Sequence, residues 1–90
     1  MSVLDGTWQI RTPGELKAVL QEIRTAVRDG RLKQVPTGKL DDDPNETIDT
    51  LIENGWPDHI EMHFVDQKSG QRYRLTAETY HGRGGRWEPI

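Results

Sequence analysis

The sequence contains no cysteine, which excludes disulfides, thiolate metal sites and cysteine nucleophiles. Serine occurs only at Ser2 and Ser69, and no GxSxG motif presents either one as a nucleophile. Apolar runs of about 18 residues, the length that spans a membrane, are also missing. The first six residues lack the basic and apolar regions of a signal peptide. We therefore expect a cytoplasmic, bacterial protein that does not associate with membranes.

Aromatic residues make up 7% and hydrophobic residues 32% of the 90 residues, whereas charged residues make up 30%. The length predicts a single domain over residues 1–90. Three Trp, two Tyr, one Phe and well-spaced aliphatic residues are enough for one small core. A domain of this size buries only roughly 60% of its unfolded surface, so we expect a thin margin of stability.

Charge is segregated along the chain, although the net charge is only -3. Residues 1–39 hold seven Lys or Arg and four Asp or Glu. Residues 40–67 hold nine acidic and no basic residues, and residues 68–90 hold five basic and two acidic ones. Such a block creates a local negative potential that affects partners and association rates rather than the fold. Folding of the block against the basic ends would cancel most of this potential.

Two helices are predicted from their start signals and apolar spacing. Thr12 precedes Pro13 and Glu15 in the order of a capped helix start, and Gly30 is a typical stop, which predicts a helix over residues 13–29. Its apolar stripe is Leu16, Val19, Leu20, Ile23 and Val27. Asp43, with Pro44 and Glu46 after it, repeats this logic and predicts a second helix over residues 44–54. The apolar stripe of the second helix is Ile48, Leu51 and Ile52, and Gly55 follows it.

The remaining segments indicate a sheet. Residues 7–10 form a short alternating segment, and residues 31–36 are interpreted as a short edge strand that Pro36 ends. Residues 59–64 and 72–80 alternate strictly around a four-residue hairpin loop at 67–70, and residues 86–90 can return as a further strand. The predicted fold is α+β, with two helices on one face of a small, mostly antiparallel sheet of three or four strands in the order β-α-(β)-α-β-β-β.

The hairpin register follows from parity, because directly paired residues lie on the same face of a sheet. Pairing Asp66 with Gln71 places Phe64, Met62 and Ile60 opposite Tyr73, Leu75 and Ala77 on the core face. His63, Glu61 and His59 then lie opposite Arg74, Thr76 and Glu78 on the other face. The register of the last strand, and with it the face that Trp87 occupies, stays open.

The leading functional hypothesis is a small intracellular interaction module of the inhibitor or immunity type. Four carboxylates are spaced so that they fall on one side of the second helix, opposite its apolar stripe. Like charges at these spacings repel, and a basic protein partner would offset that repulsion. The expected steering residues are Asp42, Glu46, Asp49 and Glu53, with Trp56 as an aromatic anchor beside them.

An alternative hypothesis is that the open sheet face and the Gly-rich turn at 82–85 bind nucleic acid or another anionic ligand. Glycines expose backbone N–H groups, and basic groups with aromatic rings are the ingredients of single-strand binding. The residues concerned are Arg72, Arg74, Tyr80, Arg83, Arg86 and Trp87. The net negative charge of the chain argues against a dedicated nucleic-acid binder. An uncharacterised homodimeric structural domain, which associates through an edge strand or the sheet face, is a further alternative.

Metal and catalytic sites are weaker interpretations. His59, Glu61 and His63 share one face of a strand and are candidate Zn²⁺ ligands, but a solvent-facing strand needs polar residues in any case. The acidic residues at 41–52 fail the pattern of a Ca²⁺ loop, because Glu46 stands where that loop needs Gly and Ile52 where it needs Glu. The candidate acid–base residues are His59, His63, His81, Glu61, Glu78 and Tyr80, among which a His–Glu pair would suit a general base. We therefore expect no metal, no cofactor and no enzymatic activity.

Overall fold

A computed structural model describes residues 6–38, 47–79 and 84–90 of the chain. Within these ranges the elements, in chain order, are β1 (Trp8–Ile10), α1 (Pro13–Arg28), β2 (Leu32–Val35), α2 (Ile48–Asn54), β3 (His59–Asp66), β4 (Arg72–Glu78) and β5 (Gly84–Pro89). The strands form one antiparallel sheet in the order β1-β5-β4-β3-β2. The predicted α+β class is confirmed. The predicted strand count is too low, because β1 and β2 both join the sheet, one at each edge.

Helix α1 forms as its start signals predict. The Thr12 hydroxyl accepts a hydrogen bond from the backbone N–H of Glu15 at 3.1 Å, and Pro13 occupies the first helical position, where its missing N–H costs nothing. The apolar stripe then turns toward the sheet. Four of its members, Leu16, Val19, Leu20 and Ile23, are buried. The helix ends at Arg28, one residue before the predicted end.

Helix α2 is shorter than predicted, since it begins at Ile48 rather than at residue 44. Thr47 is its N-cap: its hydroxyl accepts from the Thr50 N–H at 3.3 Å, and the Thr50 hydroxyl accepts from the Thr47 N–H at 2.9 Å. This reciprocal pair satisfies two N–H groups at the helix start. The cap predicted at Asp43 lies outside the described residues. The predicted apolar contacts form, with Ile48 and Leu51 buried and Ile52 packed against the core.

The central hairpin has the predicted register. Phe64, Met62 and Ile60 pair with Tyr73, Leu75 and Ala77, and all six side chains are buried. At the turn, the Asp66 N–H donates to the Gln71 carbonyl at 2.8 Å. The predicted edge strand forms as β2, which pairs with β3. A slip of one residue would turn the buried face toward solvent, so the core itself holds the register.

Trp87 lies on the core face of β5, opposite Leu75. Its side chain is fully buried. The indole stacks on the Tyr73 ring with a centroid distance of 5.0 Å and an interplanar angle of 7°, and it contacts the Phe64 ring at 5.6 Å with a tilt of 51°. These three rings supply much of the buried apolar area of a small core. Trp87 therefore occupies the core face, which the sequence alone left open.

An ion pair ties the hairpin turn to the start of β2. Asp66 is the one buried charged residue of the described ranges, at 3% exposure. Its two oxygens accept from Arg31 Nε at 2.8 Å and from Arg31 Nη2 at 3.0 Å, and the Lys68 N–H donates to Oδ1 at 2.9 Å. These hydrogen bonds, above all those of Arg31, hold the pKa of Asp66 well below its usual range. The pair joins β2 to the β3–β4 turn.

Neither described helix combines the length and the apolar character that a membrane crossing needs.

Candidate functional site

One face of the sheet is covered by the two helices, and no described residue of a helix covers the other, which we call the open face. The register places the second set of alternating side chains there, and it adds side chains from β1, β2 and β5 to those of the hairpin. The open-face residues with charged or imidazole side chains are Lys33, His59, Glu61, His63, Arg72, Arg74, Glu78, Arg86 and Glu88. Five strands therefore present one mostly polar surface, to which β2 and β3 contribute Val35 and Val65.

Glu88 is the centre of an ion-pair cluster on this face. It accepts hydrogen bonds from Nη2 of Arg74 on β4 and, at 3.2 Å, from Nη1 of Arg86 on its own strand. Its side chain is only 18% exposed. The guanidinium of Arg74, followed by that of Arg86, lowers the pKa of Glu88 from its usual value. Two cations thus share one carboxylate, and the cluster keeps an excess of positive charge.

His63 and Glu61 lie beside this cluster on β3. His63 Nε2 is 3.1 Å from Glu61 Oε2, and the imidazole is 13% exposed. His59 is exposed at the beginning of the strand, paired with Glu78. Within the described ranges, no three His, Asp or Glu side chains converge as metal ligands would. These three side chains are among the polar residues that the alternation of β3 places on the open face.

The end of the open face that is nearest the β3–β4 turn is basic. Lys33, Val65 and Arg72 lie side by side across β2, β3 and β4, and Arg74 and Val35 are in the next row. We call these five residues the basic corner. Neither Lys33 nor Arg72 forms an ion pair with a described residue. Sequence reasoning had named Arg72 and Arg74 but missed Lys33, because only the pairing of β2 with β3 brings it there.

The four carboxylates predicted on one side of the second helix, Asp42, Glu46, Asp49 and Glu53, form what we call the acidic ridge, and the structure describes only part of it. Asp42 and Glu46 lie outside the described residues. Asp49 accepts a hydrogen bond from Arg28 Nη2 of α1 at 3.2 Å, so a cation of the same chain offsets its charge. Glu53 is exposed on α2, without an ion pair to the described residues. Trp56 packs partly against the core and is not a freely projecting anchor.

The alternative set of anion-binding residues also needs correction. Trp87 cannot stack on a base, because its ring is buried in the core against Tyr73. Arg74 and Arg86 both bind Glu88. Tyr80 and Arg83 lie outside the described residues. Of the described members of this set, Arg72 alone is exposed and has no ion pair with a described residue.

The described part of the chain has no net formal charge, unlike the whole sequence. The described ranges hold ten basic and ten acidic residues, whereas residues 1–5, 39–46 and 80–83 hold two basic and five acidic ones, which accounts for the net charge of -3. Within the described ranges, the acidic block is partly offset by Arg31 on Asp66 and Arg28 on Asp49. The fold therefore brings basic and acidic blocks together.

The described residues also bound two concavities beside helix α1. A small cavity of about 70 Å³ is bounded by Trp56, Leu16 and Ala77 at the start of α1. A wider groove of about 610 Å³, open to solvent, runs between β1 and α1 and includes Trp8 and Arg11. Ligand pockets usually have about 300–1,000 Å³ and enclose most of the ligand. The first concavity is too small for this, and the second is too open.

Searches against models of protein families, curated proteins and solved structures found no match to this chain.

Proposed function

We propose that this protein is a small interaction module that binds another protein through the open face of its sheet. The observation that carries the proposal is that no described helix covers this face, where Arg74, Glu88 and Arg86 hold one another in place across neighbouring strands. Side chains that are already ordered lose less conformational entropy when a partner binds. Half-buried Val35 and Val65 add apolar area between the charges.

The size of the surface supports this choice. Five strands at about 4.8 Å spacing, each with a rise of about 3.3 Å per residue, give a face of roughly 500 Å² before side-chain relief is counted. That area lies at the lower, transient end of protein–protein interfaces, which bury about 800 Å² per partner in standard complexes. Helix α2 has seven residues, and its outer side covers only about 100 Å². It is too small to form an interface alone.

An inhibitor or immunity-type role, with a basic partner on the acidic ridge, has weaker support than the open face. Among the described ridge residues, Asp49 is paired with Arg28, which leaves Glu53 as the exposed carboxylate. An exposed ion pair contributes little to stability, at most about 1 kcal/mol, so a partner could compete for Asp49. The two surfaces lie on opposite sides of the sheet and are separable by substitution.

The test is a capture experiment with matched surface variants. The wild-type chain, Arg72→Glu, Glu53→Lys and the control Lys17→Glu are immobilised and exposed at low salt to native lysate of the source organism. Bound proteins are quantified by mass spectrometry. Lys17 is exposed on α1, and its reversal changes the net charge as much as that of Arg72. We expect a protein that Arg72→Glu loses and the other variants keep. Loss with Glu53→Lys alone would favour the ridge and refute the open face.

A further inference from the structure

We infer that the partner of the open face is an acidic protein segment, and that Lys33 and Arg72 are the cations that anchor it at the basic corner. This inference rests on the proposed function, since it specifies the chemistry of the partner that the open face binds. The inferred partner carries negative charge, whereas the acidic block of the sequence predicted a partner with positive charge.

The spacing of the two cations is fixed by the sheet. Lys33 on β2 and Arg72 on β4 are both paired with Val65 on the strand between them. Two strand spacings separate their backbones by about 10 Å, and Arg74 lies about 7 Å along β4 from Arg72. Carboxylates at similar spacing on a partner could reach the three cations together, over a floor formed by Val65.

The local charge is positive because cations outnumber the anions that face them. Lys33 and Arg72 have no ion pair with a described residue, and Arg74 shares Glu88 with Arg86. The Nε–H of Arg74 is buried and has no acceptor within the described part of the chain. Exposed charges of one sign raise the association rate of an oppositely charged partner, and added salt screens the effect.

The apolar side chains of the corner favour a protein over a nucleic acid. Val35 and Val65 are half-buried between the cations. Ile90, which is 50% exposed, follows β5 next to Arg72, whose carbonyl accepts its N–H at 2.9 Å. Single-strand binders instead need rings on which bases stack. The Phe, Tyr and Trp rings that the described strands β3, β4 and β5 contribute all lie on the core face.

The experiment uses a capped heptapeptide of alternating glutamate and valine as the probe, with the lysine–valine peptide and a single-stranded DNA 12-mer as comparisons. Each is titrated into the ¹⁵N-labelled full chain, and backbone amide shifts are followed by NMR. We expect the glutamate peptide to shift the amides of Lys33, Val65 and Arg72 before those of α1. The double variant Lys33→Glu/Arg72→Glu should bind it at least tenfold more weakly, and Lys17→Glu less than twofold.

Several outcomes would overturn the inference. These are equal binding of the glutamate peptide by the double variant, an equal loss in Lys17→Glu, or tighter binding of the DNA at the same amides. Lys33→Gln/Arg72→Gln removes the charges without reversing them, and it keeps the test informative if the reversed variant does not fold. If Arg72→Glu loses a captured protein from lysate but the peptide does not bind, the acidic partner is refuted and the proposed function stands.

Discussion

Gly85 offers the sharpest test of how closely the strands approach one another. It lies on β5 between Ile10 of β1 and Ala77 of β4. A Cβ atom added at Gly85 would lie 2.0 Å from the Thr76 carbonyl oxygen and 2.6 Å from Ala77 Cα. Carbon and oxygen atoms normally stay about 3.3 Å apart even in close contacts between strands. The obstacles are backbone atoms, so Gly85→Ala requires β4 and β5 to separate by more than about 1 Å.

The cost of this separation follows from two contributions. Overpacking costs about 1–3 kcal/mol. Each ladder hydrogen bond that the shift weakens contributes about 1 kcal/mol net. We therefore expect Gly85→Ala to lower the free energy of unfolding by about 3 kcal/mol. A domain of 90 residues has a total of only about 5–13 kcal/mol, so the substitution removes a large part of it.

The assay is equilibrium urea unfolding, followed by circular dichroism, with Gly14→Ala as the matched control. Gly14 lies in the first turn of α1, where the nearest atom to an added Cβ is Thr12 Oγ1 at 3.8 Å. Alanine there stabilises the helix by up to about 1 kcal/mol. Replacement of glycine by alanine should thus lower the free energy of unfolding at position 85 and raise it at position 14. A Gly85→Ala protein within 0.5 kcal/mol of wild type, on the order of a neutral surface change, would refute the close approach.

Three further predictions concern the ion pair, the core and a helix cap. Because its pKa is lowered in the fold, ionised Asp66 stabilises the protein above the unfolded value of about 4, and that stability is lost as the pH falls. The unfolding free energies of wild type and Asp66→Asn should therefore differ by a constant amount above about pH 5, and the difference should begin to shrink as the pH falls below about 4 and continue to shrink toward the lowered pKa. The exposed control Asp58→Asn should show little difference from wild type throughout. Trp87→Ala should cost about 3–5 kcal/mol in urea unfolding, since the indole is fully buried, and a loss under 1 kcal/mol would contradict its placement. Thr47→Ala should cost about 1 kcal/mol in the same assay through loss of the cap, and no loss would place the start of α2 elsewhere.

The central hairpin was predictable because two local signals agree. The alternation of residues 59–64 and 72–77 fixes which side chains are apolar, and the turn length fixes which of them meet. Helix α1 was predictable for a similar reason, since Thr12 and Pro13 precede a consistent stripe. Local rules determine structure well where they point to a single arrangement.

Other features depended on tertiary contacts that the local sequence does not specify. Asp43 and Thr47 are both acceptable helix caps, and the hydroxyl of Thr50 gives Thr47 a reciprocal partner. The two glycines at the start of β5 do not specify its register. The register is set by the packing of Trp87 against Tyr73 in the core. The basic corner combines Lys33 with Arg72, which are far apart in sequence. The corner forms only because β2 pairs with β3, and neither the periodicity nor the motif spacing of the sequence predicts this pairing.

The strand order also constrains when the fold can form during synthesis. β1 is made first, yet the strand beside it is β5, which ends at Pro89. The three strands from β3 to β5 are consecutive neighbours and can assemble from local contacts. β1 therefore has no neighbouring strand to pair with until β5 has left the ribosome. Deletion of β5 would thus leave β1 without its neighbouring strand in the sheet.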